Sequence, residues 1–250
     1  MRFLKVIIFF FFLISTKLFA TAQVPDYLII EKDTLEIQGN PLEDYFKIHP
    51  IPDNLITLMS SSNWRGYVAY FKFLDGKLVV QNIYKGGYKE QDGKSNYFLT
   101  SIYKEIFGSE ENFECNYYSG LLICPSGEIV EYVHMGYSSL YENYNLFEIK
   151  NGINVKSKKM TGEEFQSFKK GYFKYFRKTD EYKLKAKEFK EMLVEANMSS
   201  DLALEENSNK KKENKYLKQK EAEYHVDKRV DSFMFVYLND YMKTIEIPLN

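Results

Sequence analysis

Histidine, cysteine and tryptophan are scarce, with three His, two Cys and one Trp in 250 residues. His49, His134 and His225 stand far apart, and neither H-x-x-x-H nor C-x-x-C occurs, so no closely spaced ligand set for a transition metal is present. Two cysteines are too few for a disulfide framework. Gly86-Gly87 reads as a turn, and the chain has no G-x-x-x-x-G-K-[ST] phosphate loop and no G-x-S-x-G nucleophile elbow. Neither a metal nor a cofactor is therefore expected. Carboxylates are plentiful, which leaves a glycosidase-type acid pair open, because such pairs are set by geometry and not by spacing.

The most specific signal lies at the start. Met1–Lys5 is basic, "VIIFFFFLIS" (6–15) is apolar throughout, and "ATA" (20–22) supplies small residues for cleavage before Gln23. These are the three parts of a secretory signal peptide. A retained anchor is the weaker reading, because the apolar run is shorter than the roughly 20 residues of a bilayer span. The sequence thus predicts a signal peptide over 1–22, with cleavage near Ala22. It also predicts one exported domain over 23–250, periplasmic or extracellular, with no integral membrane segment in the mature chain. Loss of Arg2, Lys5 and Lys17 leaves 31 Lys+Arg against 35 Asp+Glu, a net charge of −4. That balance carries no electrostatic footprint for nucleic acid. Aromatics are abundant, with 20 Phe and 21 Tyr, and Tyr in such number implies amphipathic contact surface as well as core.

Hairpin signals dominate the first part of the chain. "YLIIEKDTLEI" (27–37) places Glu31-Lys32-Asp33 between two apolar-rich runs. Asp75-Gly76 and Asn151-Gly152 each divide alternating segments, and both dipeptides suit loops that require positive φ. Between these, Asn40 is expected to cap a short helix begun by Pro41. "NYFLTSIYKEIFG" (96–108) reads as a helix with Phe98, Ile102 and Ile106 on one face and Gly108 at its end. "PSG" (125–127) reads as a turn.

From Thr161 the period becomes helical. Thr161 and Glu164 form a capping box, followed by Phe165, Phe168, Tyr172 and Phe176 on one face. A second helix starts at Thr179 or Asp180 and turns Tyr182, Ala186, Phe189 and Leu193 inward. Residues 206–223 are almost wholly polar, and "SFMFVYL" (232–238) restores an apolar docking segment. The expected class is α+β: an antiparallel sheet built from hairpins over about 25–158, with C-terminal helices packed on it. Residues 23–160 are mainly β and 161–250 mainly α.

Cys115 and Cys124 pair as a disulfide if Ser119-Gly120 is a two-residue hairpin loop, and stay about 30 Å apart if one strand runs through it. Trp64-Arg65 is either a ligand platform or, by preference, a core anchor beside a cation paired with a carboxylate. His134 falls on an alternating run, Ile129–Met135, that Gly136 ends, with Tyr137 at the exit. Trp64, Arg65, His134 and Tyr137 are the binding residues expected from sequence, and no catalytic residue is assigned.

Three stretches together, "PDYLIIEKDTLEIQGNPLEDYF" (25–46), "WRGYVAYFKF" (64–73) and "PSGEIVEYVHMGYSSLYE" (125–142), resemble a family of exported bacterial proteins with no established activity. The resemblance implies export and one folded unit over about 25–160, and transfers no catalytic residue. Asn63 stands where that pattern often has Cys. The expectation is a non-enzymatic binding protein, immunity- or inhibitor-like in its most concrete form, with another protein of the envelope or the exterior as partner. The alternatives are a hydrolase of envelope glycan or peptidoglycan, using a carboxylate or His134 as acid/base, and a structural envelope component.

Overall fold

The computed structural model describes residues 23–56, 58–91, 94–133, 137–205 and 229–248. Residues 1–22, expected to be a signal peptide, the polar segment 206–223 and His134 lie outside the described residues. Among the described residues, nine strands form one sheet: β1 (Asp26–Ile30), β2 (Asp33–Ile37), β3 (Tyr67–Leu74), β4 (Lys77–Gln91), β5 (Lys94–Ser101), β6 (Phe113–Glu114), β7 (Gly120–Glu131), β8 (Leu140–Lys150) and β9 (Ile153–Thr161). The helices are α1 (Glu43–Phe46), α2 (Tyr103–Phe107), α3 (Gly162–Phe176), α4 (Asp180–Glu205) and α5 (229–236), followed by a 3-10 turn over Leu238–Tyr241. Strands precede the long helices in the chain, as an α+β reading requires. No helix among the described residues is long and apolar enough to cross a membrane.

The strand order is β2-β1-β3-β4-β9-β8-β7, with β5 and β6 paired to β4. All pairs are antiparallel except β1–β3, where Tyr27, Leu28 and Ile29 lie beside Tyr70, Phe71 and Lys72 in parallel. The Gln38 N–H donates to the Ile123 carbonyl (2.8 Å), joining the two ends of this order. The sheet therefore curls back on itself into a barrel-like layer. Its β4–β9 seam is slight, because the hairpin tips meet there. The Leu78 N–H donates to the Gly152 carbonyl (2.7 Å), and the Asn154 N–H to the Gly76 carbonyl (2.9 Å). Both tips have the predicted chemistry: φ is 49° and 77° at Asp75-Gly76, and 47° and 77° at Asn151-Gly152.

Two apolar clusters lie on opposite sides of β7 and β8. Leu122, Cys124 and Ile149 face inward with Leu28, Ile37, Phe71 and Val80. Leu121, Ile123, Tyr144 and Leu146 face outward and are covered by Phe165, Tyr172 and Phe176 of α3, Leu193 of α4 and Met234 of α5. Period-2 alternation puts neighbours on opposite faces, so the unbroken apolar run 121–124 is a strand buried on both sides. The capping box at Thr161 forms as expected, with the Glu164 N–H on Thr161 Oγ1 and the Thr161 N–H on Glu164 Oε2. Thr179 caps α4 by accepting from the Tyr182 N–H (3.1 Å).

Several local expectations fail for identifiable reasons. Residues 96–101 belong to β5, paired from Asn96↔Lys89 to Ser101↔Tyr84, and only 103–107 are helical before Gly108 at φ 68°. Tyr97, Phe98 and Thr100 are good strand formers, and the ladder with β4 decides. Phe98 consequently faces away from the core. Asn40 does not cap α1; its side chain is engaged by Tyr137, and Leu42 precedes the helix without a side-chain cap. Pro125-Ser126-Gly127 is no turn. It begins a bulge inside β7, where pairing slips between Ser126↔Asn143 and Ile129↔Tyr141 and Gly127 takes φ 83°. The β7 strand ends at Glu131, earlier than the alternation predicts, and Ser139 Oγ closes the following loop by accepting from the Val133 N–H (3.1 Å).

Ser119-Gly120 does not form a hairpin loop either. The chain turns at 115–118, where the Tyr118 N–H donates to the Cys115 carbonyl (2.9 Å), and Cys115 and Cys124 are both free and buried. The pairing geometry expected for a disulfide is thus absent. Burial pushes the Cys115 thiol up to about 12 and raises that of Cys124, which marks both as unreactive packing residues. Gly152 packs against this turn: a Cβ there would lie 2.9 Å from the Cys115 carbonyl carbon and oxygen. Gly152→Ala is expected to cost about 1–2 kcal/mol from its positive φ alone, and more from that contact. Urea unfolding with an unchanged m-value would measure it.

Candidate functional site

Of the four binding residues expected from sequence, the fold brings two together. Gly66 has φ 71°, and a Cβ there would run into Ile56. This tight passage turns Arg65 inward and leaves its neighbour Trp64 outward, 52 % exposed. The core-anchor reading of Trp64 is therefore wrong, while the pairing of Arg65 with a carboxylate holds. Arg65 Nη1 lies 2.7 Å from Asp26 Oδ2, with both side chains almost fully out of solvent. Arg65 Nη2 donates to the Val24 carbonyl (2.8 Å), and its guanidinium carbon lies 5.1 Å from the centre of the Tyr67 ring. Asp26 Oδ1 accepts from the Ala69 N–H (2.8 Å).

Tyr137 completes this network. Its hydroxyl lies 3.1 Å from Asn40 Oδ1 and 3.4 Å from the Val24 oxygen that Arg65 also contacts. Burial pushes its hydroxyl pKa up, against the pull of Arg65. Burial alone would raise the Asp26 carboxyl and depress the Arg65 guanidinium. The attraction of Asp26, 2.7 Å away, acts together with those of Tyr137 and Tyr67 to hold the Arg65 pKa above its ordinary value. A guanidinium already donating to a carboxylate and a carbonyl is a structural cation, with little left for an external anion. Arg65 and Tyr137 thus tie chain segments together.

A second polar group was not legible in the sequence. Asp240, in the 3-10 turn, is exposed to solvent, although protein groups crowd around its carboxylate. A Cβ on Gly39 would be 3.7 Å from its Oδ1. Lost hydration pushes its carboxyl up to about 6, against the attraction of Arg65 and Lys169. Lys169 of α3, whose Nζ lies 5.2 Å from the centre of the Phe235 ring, is depressed by burial to about 8. Neighbouring Asn239 is buried, with its Nδ2 3.5 Å from Gln38 Oε1. Such shifted groups are a functional-site signature, although desolvated structural charges produce them too.

A concavity lies elsewhere, at the mouth of the curled sheet between the β1–β2 hairpin and the β8–β9 ladder. It encloses about 760 Å³ and is lined by Ile30 and Leu35 on one wall and Phe147 and Asn145 on the other. Asn143 and Lys159 contribute to its polar lining, and Asn145 Nδ2 donates to Ser126 Oγ (3.3 Å). An apolar wall with a few polar groups is the usual make-up of a binding cleft, and barrel mouths are a common place for one. No group of three or more His, Cys, Asp or Glu side chains suited to a metal occurs among the described residues. The mouth gathers residues from several strands, so no sequence window announces it.

Asp26→Ala should cost about 3–5 kcal/mol, because it strands a buried guanidinium. The Asp26→Ala/Arg65→Met double variant should lose much less than the sum of the single changes, as read by urea unfolding in a double-mutant cycle. In comparisons with protein-family models, curated proteins and solved structures, nothing matches the chain.

Proposed function

We propose that this chain is an exported binding protein without catalytic activity, and that it engages a segment of another protein of the envelope or the exterior at the sheet mouth. Export rests on the basic start, apolar run and A-x-A site of residues 1–22. Binding rests on one observation: the 760 Å³ mouth with apolar walls and amide side chains, open to a projecting loop. An immunity- or inhibitor-like role is its concrete form. Filling the mouth by Asn143→Arg, at an exposed position, should weaken partner capture from the native envelope at least about tenfold, about 1.4 kcal/mol, and leave the melting temperature nearly unchanged. Capture that is equal for both proteins, or absent with the wild type, would overturn the reading.

The raised pKa of Asp240 favours one other reading, a hydrolase of envelope glycan or peptidoglycan with this carboxyl as acid/base. Its raised pKa has a consequence in either case. A carboxyl higher in the folded than in the unfolded chain contributes stability at low pH that is lost as pH rises through about 6. Asp240→Asn should therefore stabilise the protein at pH 8 and change little at pH 4, as followed by thermal melts. Turnover of purified peptidoglycan by the wild type, abolished in Asp240→Asn, would replace the binding reading with the hydrolase.

A further inference from the structure

Beyond Lys85 the β3 strand no longer accompanies β4, and the ribbon of β4 and β5 continues as two strands only. Every residue of β5 is exposed. Two strands alone in water are marginally stable, and a third is ordinarily needed. The ribbon is also unusually apolar. Tyr88, Tyr97, Phe98 and Leu99 are 62, 56, 43 and 48 % exposed, and the Tyr88 and Tyr97 rings pack with centroids 5.4 Å apart. Tyr97 lies over Gly86 and Phe98 over Gly87, each ring occupying the space a Cβ would need. Both faces are smoothed by aromatic rings in this way, and nothing among the described residues pairs with the outer edge of β5.

Natural edge strands are guarded by charges, prolines or bulges. Here β2 carries Asp33 and Glu36, and the outer half of β7 carries Pro125, a bulge, Glu128 and Glu131. The stretch Ser95–Ser101 of β5 has none of these. Its order is Ser-Asn-Tyr-Phe-Leu-Thr-Ser, which is chemically palindromic about Phe98. An antiparallel pairing with itself sets Ser95 opposite Ser101, Asn96 opposite Thr100, Tyr97 opposite Leu99 and Phe98 opposite Phe98. Each pair joins polar to polar or apolar to apolar, and no like charges meet. A two-fold interface requires this self-complementarity.

We propose that β5 is the dimerisation edge of this protein, pairing antiparallel with β5 of a second copy through a two-fold axis at Phe98 to give a four-stranded β4-β5-β5-β4 arm. The proposal stands apart from the ligand-binding reading, since the sheet mouth is built from other strands. The dimer carries two such mouths joined by the arm.

Sedimentation equilibrium of the exported chain across micromolar concentrations should show a monomer–dimer equilibrium. Phe98→Lys, which sets two ammonium groups opposite each other, should weaken dimerisation at least about tenfold, with circular dichroism unchanged. The register is tested separately. Tyr97→Lys alone or Leu99→Glu alone should weaken the dimer, and the two together should restore it. In the double variant the ammonium introduced on each copy faces the carboxylate introduced on the other, on both sides of the axis. A wild type that is monomeric throughout, a Phe98→Lys protein that still dimerises, or a double variant weaker than either single one would overturn the proposal.

Discussion

A carboxylate and a guanidinium with almost no solvent contact fix how β1 meets the rest of the sheet. Asp26 is the first residue of β1, and it binds both the Arg65 side chain and the Ala69 backbone of β3. Those bonds set the β1–β3 pair in parallel, the one departure from an otherwise antiparallel sheet. Arg65 then holds the Val24 carbonyl, and Tyr137 reaches the same oxygen from a distant part of the chain. Two charges taken out of water are tolerable only when such partners are complete. The network is thus both costly to break and specific in what it joins.

With the β1–β2 hairpin placed, the Gln38–Ile123 hydrogen bond can close the strand order, and closure makes β7 and β8 a wall between two apolar clusters. The C-terminal helices α3, α4 and α5 cover the outer cluster, and among the described residues none of their side chains belongs to the inner one. Each tip of the β3–β4 and β8–β9 hairpins donates to the other's backbone, so the weak β4–β9 seam is held by loops whose geometry the Asp-Gly and Asn-Gly dipeptides impose. The sheet mouth is the space left where β1–β2 and β8–β9 diverge from this closure. Its existence follows from the curl, and its amide lining from residues whose alternation turns them away from the outer cluster.

Polar groups divide according to what surrounds them. Arg65 and Asp26 neutralise each other and serve the fold. Asp240 and Lys169 face one another only electrostatically, each shifted toward its neutral form by lost hydration. That contrast directs attention to Asp240, while the sheet mouth carries the proposed binding function. The β4–β5 arm belongs to neither. Its exposed rings and the uncharged stretch Ser95–Ser101 suit pairing with another strand.

Much of the fold could be read from local chemistry. The three hairpins at 27–37, 75–76 and 151–152, the Thr161 capping box and the inward faces of α3 and α4 all follow from turn dipeptides, a capping pair and a 3.6-residue period. The errors at 96–108 and 125–127 arose where a partner strand overrode local signals, turning an expected helix into β5 and an expected turn into a bulge. Arg65 and Tyr137 were legible as unusual residues, but their convergence on Val24 was not, because they stand far apart in the chain. By itself the sequence determined which segments alternate, where they turn and which helix faces are apolar, since these depend on neighbours within a few residues. Only the tertiary structure decided the parallel β1–β3 pairing, the free and buried cysteines, the outward Trp64, the crowding around Asp240 and the sheet mouth. Each of these depends on contacts between segments far apart in the chain, which only the closed sheet brings within reach.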